Sequence, residues 1–289
     1  MITRTTPDPD GLAVATAALR NWQRDDIFQL HPGDIGWFWR FGADATASAV
    51  RVWRRGATIV AVGLLDGPGL VRLAIAPEAQ QDEEVAAHLT DDLTRVDPDV
   101  LGPGKADLEV PTGVVLHDAL TTVGWGVGEP WTTLRMDLAE PVEEPRLRVR
   151  PIGPDDVAVR AEVQRAAFDG STFDVDHWHA MAGGPSYREG RCLVGSTDAT
   201  PVAAITVWSA GPGRPGLIEP MGVHRDHRGQ GYGVAITRAG AAALRSMGAS
   251  RAMVGTPSSN VAAVATYRAA GFTPLGERAD RRRGGQPQQ

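Results

Sequence analysis

Hydrophobic and polar positions along the second half of the chain predict a regular succession of strands and helices. Apolar residues alternate or run together, with period two or as short buried stretches, at five places that we interpret as strands: 147–151, 191–195, 203–209, 217–223 and 252–256. Apolar and small residues with helical spacing predict helices at 157–168, 177–184, 234–246 and 262–270. Gly271 ends the last helix, and Phe272 begins a final extended segment. This order predicts an α/β domain with a mixed central sheet flanked by helices.

The first half repeats this plan less clearly. Strands are predicted at 49–53, 58–64, 70–75 and 107–110, and helices at 83–93 and 115–122. The pair Gly124-Trp125 lies 147 residues before the pair Gly271-Phe272. Because Ile75 and Val223 are separated by nearly the same interval, 148 residues, we infer an internal duplication. The alternative is that both halves are α/β without a common origin.

A proline- and glutamate-rich segment divides the halves. Residues 139–145 contain two prolines and three glutamates with little apolar content, which is typical of a linker. We therefore predict one domain over 1–138, a linker over 139–146, a second domain over 147–283 and a disordered tail over 284–289. The arginine run 281–283 is interpreted as part of a solvated Gly/Gln-rich end.

Composition narrows the classes of function. With 42% hydrophobic and 22% charged residues the chain is typical of a soluble globular protein, and it has neither a membrane-length apolar run nor a secretory signal, so a cytoplasmic protein is expected. The net charge of −6 argues against nucleic-acid binding. Cys192 is the single cysteine, and His177 and His179 lack a third partner, so no disulfide and no metal site are predicted.

The strongest chemical signal is a glycine-rich turn between a strand and a helix. Gly229, Gly231 and Gly233 alternate after the 217–223 strand. Unpaired amides at the start of the following helix, together with its dipole, favour a bound pyrophosphate, and Arg228 adds a charged donor. The spacing fits neither a Walker A loop nor a dinucleotide-binding fingerprint.

Two motifs in this half resemble those of the GNAT acetyltransferase superfamily. Arg228-Gly229-Gln230-Gly231-Tyr232-Gly233 is similar to the Arg/Gln-x-x-Gly-x-Gly/Ala signature, which binds the pyrophosphate of acetyl-CoA. The segment 260–272 resembles the family's Asn-x-x-Ala-x-x-x-Tyr-x-x-x-Gly-Phe helix. The resemblance covers about 147–280. It implies acetyl-CoA as co-substrate and, with the duplication, a fold of two tandem GNAT-like domains.

The resemblance also implies roles for individual residues. Cofactor binding is expected of Val223, Arg228, Gly229, Gln230, Gly231, Tyr232, Gly233 and Asn260. Tyr267 lies where the family often has a general acid, and Glu219 lies where some members have a general base. The alternatives are a helix-packing role for Tyr267 and a solvent-facing strand position for Glu219. Pro220, unusual inside a strand, is compatible with a bulge that splays the strand and admits the cofactor.

The first half lacks these residues. The duplication aligns Gln80, Glu83 and Val85 with Arg228, Gly231 and Gly233, and three carboxylates in this loop would repel a pyrophosphate. Leu120 stands in the place of Tyr267, and Val71 in that of Glu219. We therefore expect a degenerate domain that supports the fold or shapes the acceptor pocket. Mycothiol synthases are one tandem branch of the family and a possible relative, although no local motif fixes that assignment.

The expected acceptor is an amine on a small molecule. The acidic stretch 168–176 is a candidate wall of its pocket, since aspartates would favour a cationic amine, and an exposed acidic loop is the alternative. Two other functions stay open at this stage: a non-catalytic acyl-CoA-binding or regulatory protein, and a protein N-acetyltransferase. No nucleic-acid or membrane partner is expected, and the oligomeric state is open between monomer and homodimer.

Overall fold

The computed structural model describes residues 1–97 and 99–284, so most of the predicted tail, 285–289, lies outside the described residues. The strands are β1 Ile2–Thr5, β2 Val50–Arg55, β3 Thr58–Leu65, β4 Leu70–Ile75, β5 Ala106–Glu109, β6 Gly126–Asp137, β7 Arg148–Pro151, β8 Gly190–Thr197, β9 Thr200–Trp208, β10 Gly216–Val223, β11 Arg251–Pro257 and β12 Thr273–Arg283. The α-helices are α1 Pro9–Trp22, α2 Pro32–Phe38, α3 Ala43–Ala49, α4 Glu83–Thr94, α5 Leu116–Thr122, α6 Val157–Ala167, α7 Val175–Gly183, α8 Tyr232–Ser246 and α9 Val261–Ala270. This is the mixed α/β architecture that the sequence predicts.

The strands of the described residues form one twelve-stranded sheet in which the strands of the two halves of the chain are arranged with two-fold symmetry. The order is β1-β2-β3-β4-β5-β12-β6-β11-β10-β9-β8-β7. Adding six to the numbers β1 to β6 of the first half of the chain gives their counterparts β7 to β12 in the second half, and β6 and β12 form the central pair. The parallel contact between β4 and β5 has its counterpart between β10 and β11. This two-fold arrangement agrees with the internal duplication inferred from the sequence.

The two halves exchange their last strands. β6, which ends the first half, pairs with β11 of the second half, and β12, which ends the second half, pairs with β5 of the first. In the central pair, Trp131 lies opposite Arg278, and these residues are themselves 147 positions apart. Strand pairing therefore joins the halves on either side of the predicted linker, 139–146. That segment contains no helix or strand.

Small residues bring the long helix of the second half close to the sheet. A Cβ atom added at Gly240 of α8 would lie 2.5 Å from Cδ1 of Ile205 in β9, so a larger residue there would force Ile205 to shift. Ile236, Ala241 and Leu244 of the same helix are buried against the sheet. This packing fixes where the N-terminus of α8 lies relative to the end of β10.

Two features of the structure differ from the sequence predictions. The arginine run 281–283 is the end of β12, where Arg282 binds Asp107 through two hydrogen bonds of 2.6 and 3.0 Å, so it is not part of a solvated tail. The elements β1, α1, α2, α3 and β6 were not predicted. Gly126, Gly128 and Pro130 obscure the strand pattern of β6, because glycine and proline are typical of turns.

Candidate active site

A bulge in β10 opens the sheet. The register between β10 and β9 shifts between Ile218 and Met221, which is the bulge that the family resemblance implied and with which Pro220 is compatible. β10 pairs with β11 only at Gly216 and Leu217. Beyond this point the two parallel strands separate, and their edges form the walls of a cleft.

The glycine-rich turn leads from β10 into α8. Gly229 and Gly231 have φ angles of 78° and 84°, in the left-handed region that favours glycine. A Cβ atom built on either residue meets nothing within 4 Å, so both backbones face open space. No side chain caps α8, and the amides of its first turn have no acceptor within the helix. An uncapped helix start beside open glycine backbone fits an anionic group such as a pyrophosphate.

The first cavity at the cleft, of about 470 Å³, gathers the residues predicted to bind the cofactor. Its lining includes Val223, Arg228, Gly229, Gly231, Tyr232, Gly233 and Asn260. Gln230 is the member of the predicted set outside this lining, and its side chain accepts a hydrogen bond of 3.2 Å from the Tyr232 hydroxyl. Arg228 donates to the Ala167 carbonyl oxygen at 2.7 Å, which holds its guanidinium at the cavity wall. The Asn260 side chain accepts from the Ala263 amide at 3.1 Å and so caps α9.

A second cavity, of about 360 Å³, continues the cleft between the separated strands. The two cavities share Phe168, Met221, Asn260 and Ala263. Both predicted catalytic residues, Glu219 and Tyr267, line the second cavity. Its other walls come from both halves of the chain and include Phe28, Asp66, Arg72, Glu109, Trp131 and Arg278.

Tyr267 is held on α9 with its ring 5.9 Å from that of Phe272. The residue is 6% exposed. Burial raises the pKa of its phenol above the ordinary value, and the nearby Glu219 carboxylate raises it further. The phenol is therefore protonated at neutral pH and able to donate a proton.

Glu219 lies in the bulge of β10. Its backbone carbonyl accepts a hydrogen bond of 2.8 Å from the Trp208 indole. Its carboxylate oxygens lie 3.4 and 3.5 Å from the guanidinium of Arg72, a residue of β4 in the first half. Its side chain is 29% exposed, so the carboxylate is accessible from the cavity as well as paired across the halves.

Comparison with known proteins agrees with this geometry. Residues 160–272 match the model of the Acetyltransferase (GNAT) family. The chain carries a GNAT acetyltransferase domain. This domain makes the protein an acyltransferase, and the GNAT family uses acetyl-CoA as co-substrate and transfers its acyl group to an acceptor. No curated protein sequence matches the chain.

Solved structures show the same fold over the whole chain. A tandem GNAT protein from the clavulanic acid biosynthesis pathway aligns over 100% of both chains with a TM-score of 0.61 and 16% identity. A GNAT-family acetyltransferase from Colwellia psychrerythraea aligns over 97% of this chain and 98% of its own, with a TM-score of 0.60 and 16% identity. A GCN5-related N-acetyltransferase from Sphaerobacter thermophilus covers 98% and 95%, with a TM-score of 0.58 and 16% identity. At this identity the likeness concerns the fold alone.

In the first half, the place equivalent to the glycine-rich turn of the GNAT domain is closed by the chain itself. Asp82 caps α4 by accepting from the Val85 amide at 3.1 Å. Arg55 forms ion pairs of 2.8 and 2.9 Å with Asp82 and Glu84. The carboxylates of Asp82 and Glu84 thus already neutralise Arg55, and Asp82 accepts from an amide at the start of α4.

The strand edge equivalent to the open edge of β10 is also covered. The Leu30 amide donates to the Leu73 carbonyl of β4 at 3.1 Å, and the Ile75 amide donates to the Gln29 side chain at 3.3 Å. Unlike β10 against β9, β4 pairs with β3 without a register shift. In the first half, therefore, groups of the chain itself are hydrogen-bonded to the edge of β4.

The acidic segment 168–176, predicted as a candidate wall of the acceptor pocket, does not line the second cavity, apart from Phe168. Asp169 forms an ion pair of 3.3 Å with Arg225, and Asp174 caps α7. The acidic groups of the cavity come instead from Asp66, Glu109 and Glu219. The sequence contained one indication of these acidic groups. Arg72 interrupts the apolar strand Leu70–Ile75, and a charged side chain at a core position needs partners of opposite charge.

Within the described residues no cluster of three or more His, Cys, Asp or Glu side chains is arranged to hold a metal ion. None of the helices in that part of the chain has the length and apolar character needed to cross a membrane.

Proposed function

We propose that the protein transfers an acetyl group from acetyl-CoA to an amine of a small molecule. The observation that carries this proposal is the junction of the two cavities at the splayed strands, with Tyr267 and Glu219 in the second. The first cavity binds the co-substrate through the open amides of α8 and the glycine-rich turn. Its thioester then lies toward the second cavity, where the amine binds.

The chemistry requires two proton transfers. The amine nitrogen attacks the thioester carbon, the carbon–sulfur bond breaks, and the amine loses a proton. Glu219 takes that proton as general base, directly or through a water molecule. Tyr267, whose raised pKa keeps it protonated, gives a proton to the departing thiolate. An amide and free CoA result, and the two residues recover their starting states by exchange with solvent.

The first half does not bind acetyl-CoA in this proposal. Its equivalent helix start is capped by Asp82 and paired with Arg55, and its equivalent strand edge is covered by Gln29 and Leu30. The first half instead supplies walls of the acceptor cavity, among them Arg72 and Trp131.

Calorimetric titration of acetyl-CoA tests the binding site. We expect one molecule bound per chain. Gly231→Glu should abolish binding, whereas Gly231→Ala should retain most of it and lose stability instead, because the φ angle of 84° strains any side chain. Two molecules per chain would contradict the closure of the first half, and unchanged binding in Gly231→Glu would remove the co-substrate from this turn.

A second experiment tests the chemistry. With an amine panel, Tyr267→Phe should lower kcat about a hundredfold or more while the Kd for acetyl-CoA stays the same. Tyr187→Phe is the matched control, since Tyr187 packs on Trp178 and Trp208 and lines neither cavity. Equal activity in Tyr267→Phe and wild type would exclude Tyr267 as the acid. Acetylation of protein N-termini or lysines in preference to every free amine would identify a protein acceptor.

A further inference from the structure

A tryptophan side chain holds the backbone of the β10 bulge. The register shift leaves Glu219 and Pro220 of β10 opposite a single residue of β9, Thr206, and neither of the two has a partner in the register of the sheet. The Glu219 carbonyl instead accepts the 2.8 Å hydrogen bond from the indole N–H of Trp208, the last residue of β9. The conformation of the bulge therefore depends on where this indole lies.

Three glycines make room for the indole, and two of them belong to the first half of the chain. Gly33 and Gly36 lie three positions apart on α2 and so share one face of the helix. A Cβ atom added at Gly33 would lie 2.4 Å from Cβ of Trp208, and one added at Gly36 would lie 2.5 Å from Cζ3 of the ring. A Cβ atom at Gly190 of β8 would lie 2.8 Å from the same Cζ3. The 1% exposed indole is thus held between α2 and β8.

Helix α2 reaches β10 at two further points. Nδ1 of the cap residue His31 accepts from an amide of α2 at 2.9 Å, so its Nε2 carries the proton and donates to the Pro215 carbonyl, just before β10, at 3.2 Å. Asp34 of α2 lies 3.0 Å from a nitrogen of Arg72, and the same nitrogen lies 3.4 Å from the Glu219 carboxylate. The carbonyl and the carboxylate of Glu219 are therefore both connected to one helix of the first half.

We propose that Trp208 is a positioning residue for the acetyl transfer: held by α2 of the first half, it fixes the bulge of β10 and thereby the place of Glu219 in the second cavity. The proposal rests on the proposed function in taking Glu219 as the base. Trp208 is not in the lining of the first or the second cavity, so it acts through Glu219 without touching a substrate. The first half thereby contributes to the chemistry without binding the co-substrate.

The first test separates the indole N–H from the bulk of the ring. Trp208→Phe keeps an aromatic ring and removes the donor, so the Glu219 carbonyl loses its partner. Because displacing a reacting group by about 1 Å can cost about a hundredfold in rate, kcat with the best amine of the panel should fall about tenfold or more. Trp178→Phe is the matched control, since Trp178 is 3% exposed in the same hydrophobic cluster and its indole nitrogen has no hydrogen-bond partner among the described residues. It loses packing and no hydrogen bond, so kcat should change by less than about twofold.

A double-mutant cycle tests whether Trp208 acts through the carboxylate. Residues that act through one another give non-additive effects. Trp208→Phe should therefore lower kcat in wild type and leave it nearly unchanged in the Glu219→Gln background. The same fold-loss in both backgrounds indicates a structural role and overturns the inference, as does full activity in Trp208→Phe when Glu219→Gln is impaired, while acetyl transfer stands. Full activity in Glu219→Gln alone removes Glu219 as the base, and the inference fails with it.

Gly36→Ala tests the contact from the first half. Alanine favours a helix, so α2 is not weakened, while the new Cβ displaces the Trp208 ring from 2.5 Å. This variant should lose kcat as Trp208→Phe does. Gly183→Ala in α7 is the control, because a Cβ atom there meets nothing within 4 Å. An unchanged kcat in Gly36→Ala would overturn the role of α2.

Hydrogen–deuterium exchange tests the position of the bulge without any amine. In Trp208→Phe and Gly36→Ala, the amides of 216–223 should exchange about fivefold faster than in wild type, the factor expected for one lost hydrogen bond. In the controls Trp178→Phe and Gly183→Ala they should exchange as in wild type. Equal exchange of this segment in all five proteins overturns the inference, whether or not an acceptor amine has been found.

Discussion

Replacing Arg72 by methionine should destabilise the protein more than the loss of an exposed ion pair would. The guanidinium lies 3.0 Å from Asp34 and 3.1 Å from Glu109, whose side chains are 3% and 9% exposed. Removing one partner of a buried ion pair leaves an uncompensated charge and typically costs about 3–5 kcal/mol. Two such carboxylates lose their partner here, although Glu109 keeps Arg278 at 3.1 Å. We therefore expect a loss of about 3–5 kcal/mol in the free energy of unfolding at neutral pH.

The loss should depend on pH with a defined sign. In wild type the arginines hold the pKa of Glu109 below its ordinary value, against the burial that would raise it. Without Arg72, burial raises the pKa of Glu109 relative to the unfolded chain, and it raises that of Asp34 further. A carboxyl group whose pKa is higher in the folded state stabilises that state at low pH, and this contribution is lost as the pH rises. The difference between wild type and variant should therefore be larger near pH 7 than near pH 5.

Urea unfolding at the two pH values measures the effect. Arg24→Met is the control, because Arg24 binds Asp26 at 2.7 Å with both side chains more than half exposed, and exposed pairs contribute little. Arg72→Lys keeps the charge and loses the guanidinium fork, so it should lie between wild type and Arg72→Met. A loss below about 1 kcal/mol, or a loss that does not change with pH, would refute the reasoning that Arg72 compensates buried carboxylates.

Three further predictions concern the same structure. Burial raises the pKa of Asp280 to about 7. The free energy of unfolding of wild type, relative to that of Asp280→Asn, should therefore fall by about 2 kcal/mol between about pH 5 and 7 in urea unfolding. Parallel plots of the two free energies against pH would contradict this pKa. The fragment 1–138 should not fold as a monomer, since β12 is missing from its place beside β5, and a cooperative thermal transition of monomeric fragment would contradict the strand exchange. Arg228→Ala should raise the Kd for acetyl-CoA about tenfold in calorimetry, whereas Arg225→Ala, which lies outside the first cavity, should not.

Local sequence was sufficient for the elements that form the GNAT domain. The alternation of apolar residues places β8 to β11, and the glycine ending α9 is seen with φ of 107° at Gly271. The glycine-rich turn could be predicted because glycines before a helix adopt positive φ angles and leave the backbone open in any context. The bulge in β10 was implied by the family resemblance, and Pro220 is compatible with it because a proline cannot donate to a strand ladder.

The second cavity could not be predicted in the same way. Asp66, Arg72 and Trp131 precede the GNAT domain in sequence, and their part in the cavity depends on how the two halves meet. The predicted wall at 168–176 was chosen for its aspartates alone, and the structure uses two of these in a local ion pair and a helix cap.

The sequence by itself determined the elements of the second half, the duplication and the glycine-rich turn, because these depend on periodicity and on local backbone preferences. Only the tertiary structure decided that β6 and β12 are exchanged, that Arg72 reaches Glu219 across the halves, and that the first half covers its own strand edge. The physical reason is that strand pairing and buried ion pairs join residues more than a hundred positions apart. Many strands and charged residues would fit the same local pattern as pairing partners. The actual partners are fixed only when the two halves fold together into one continuous sheet.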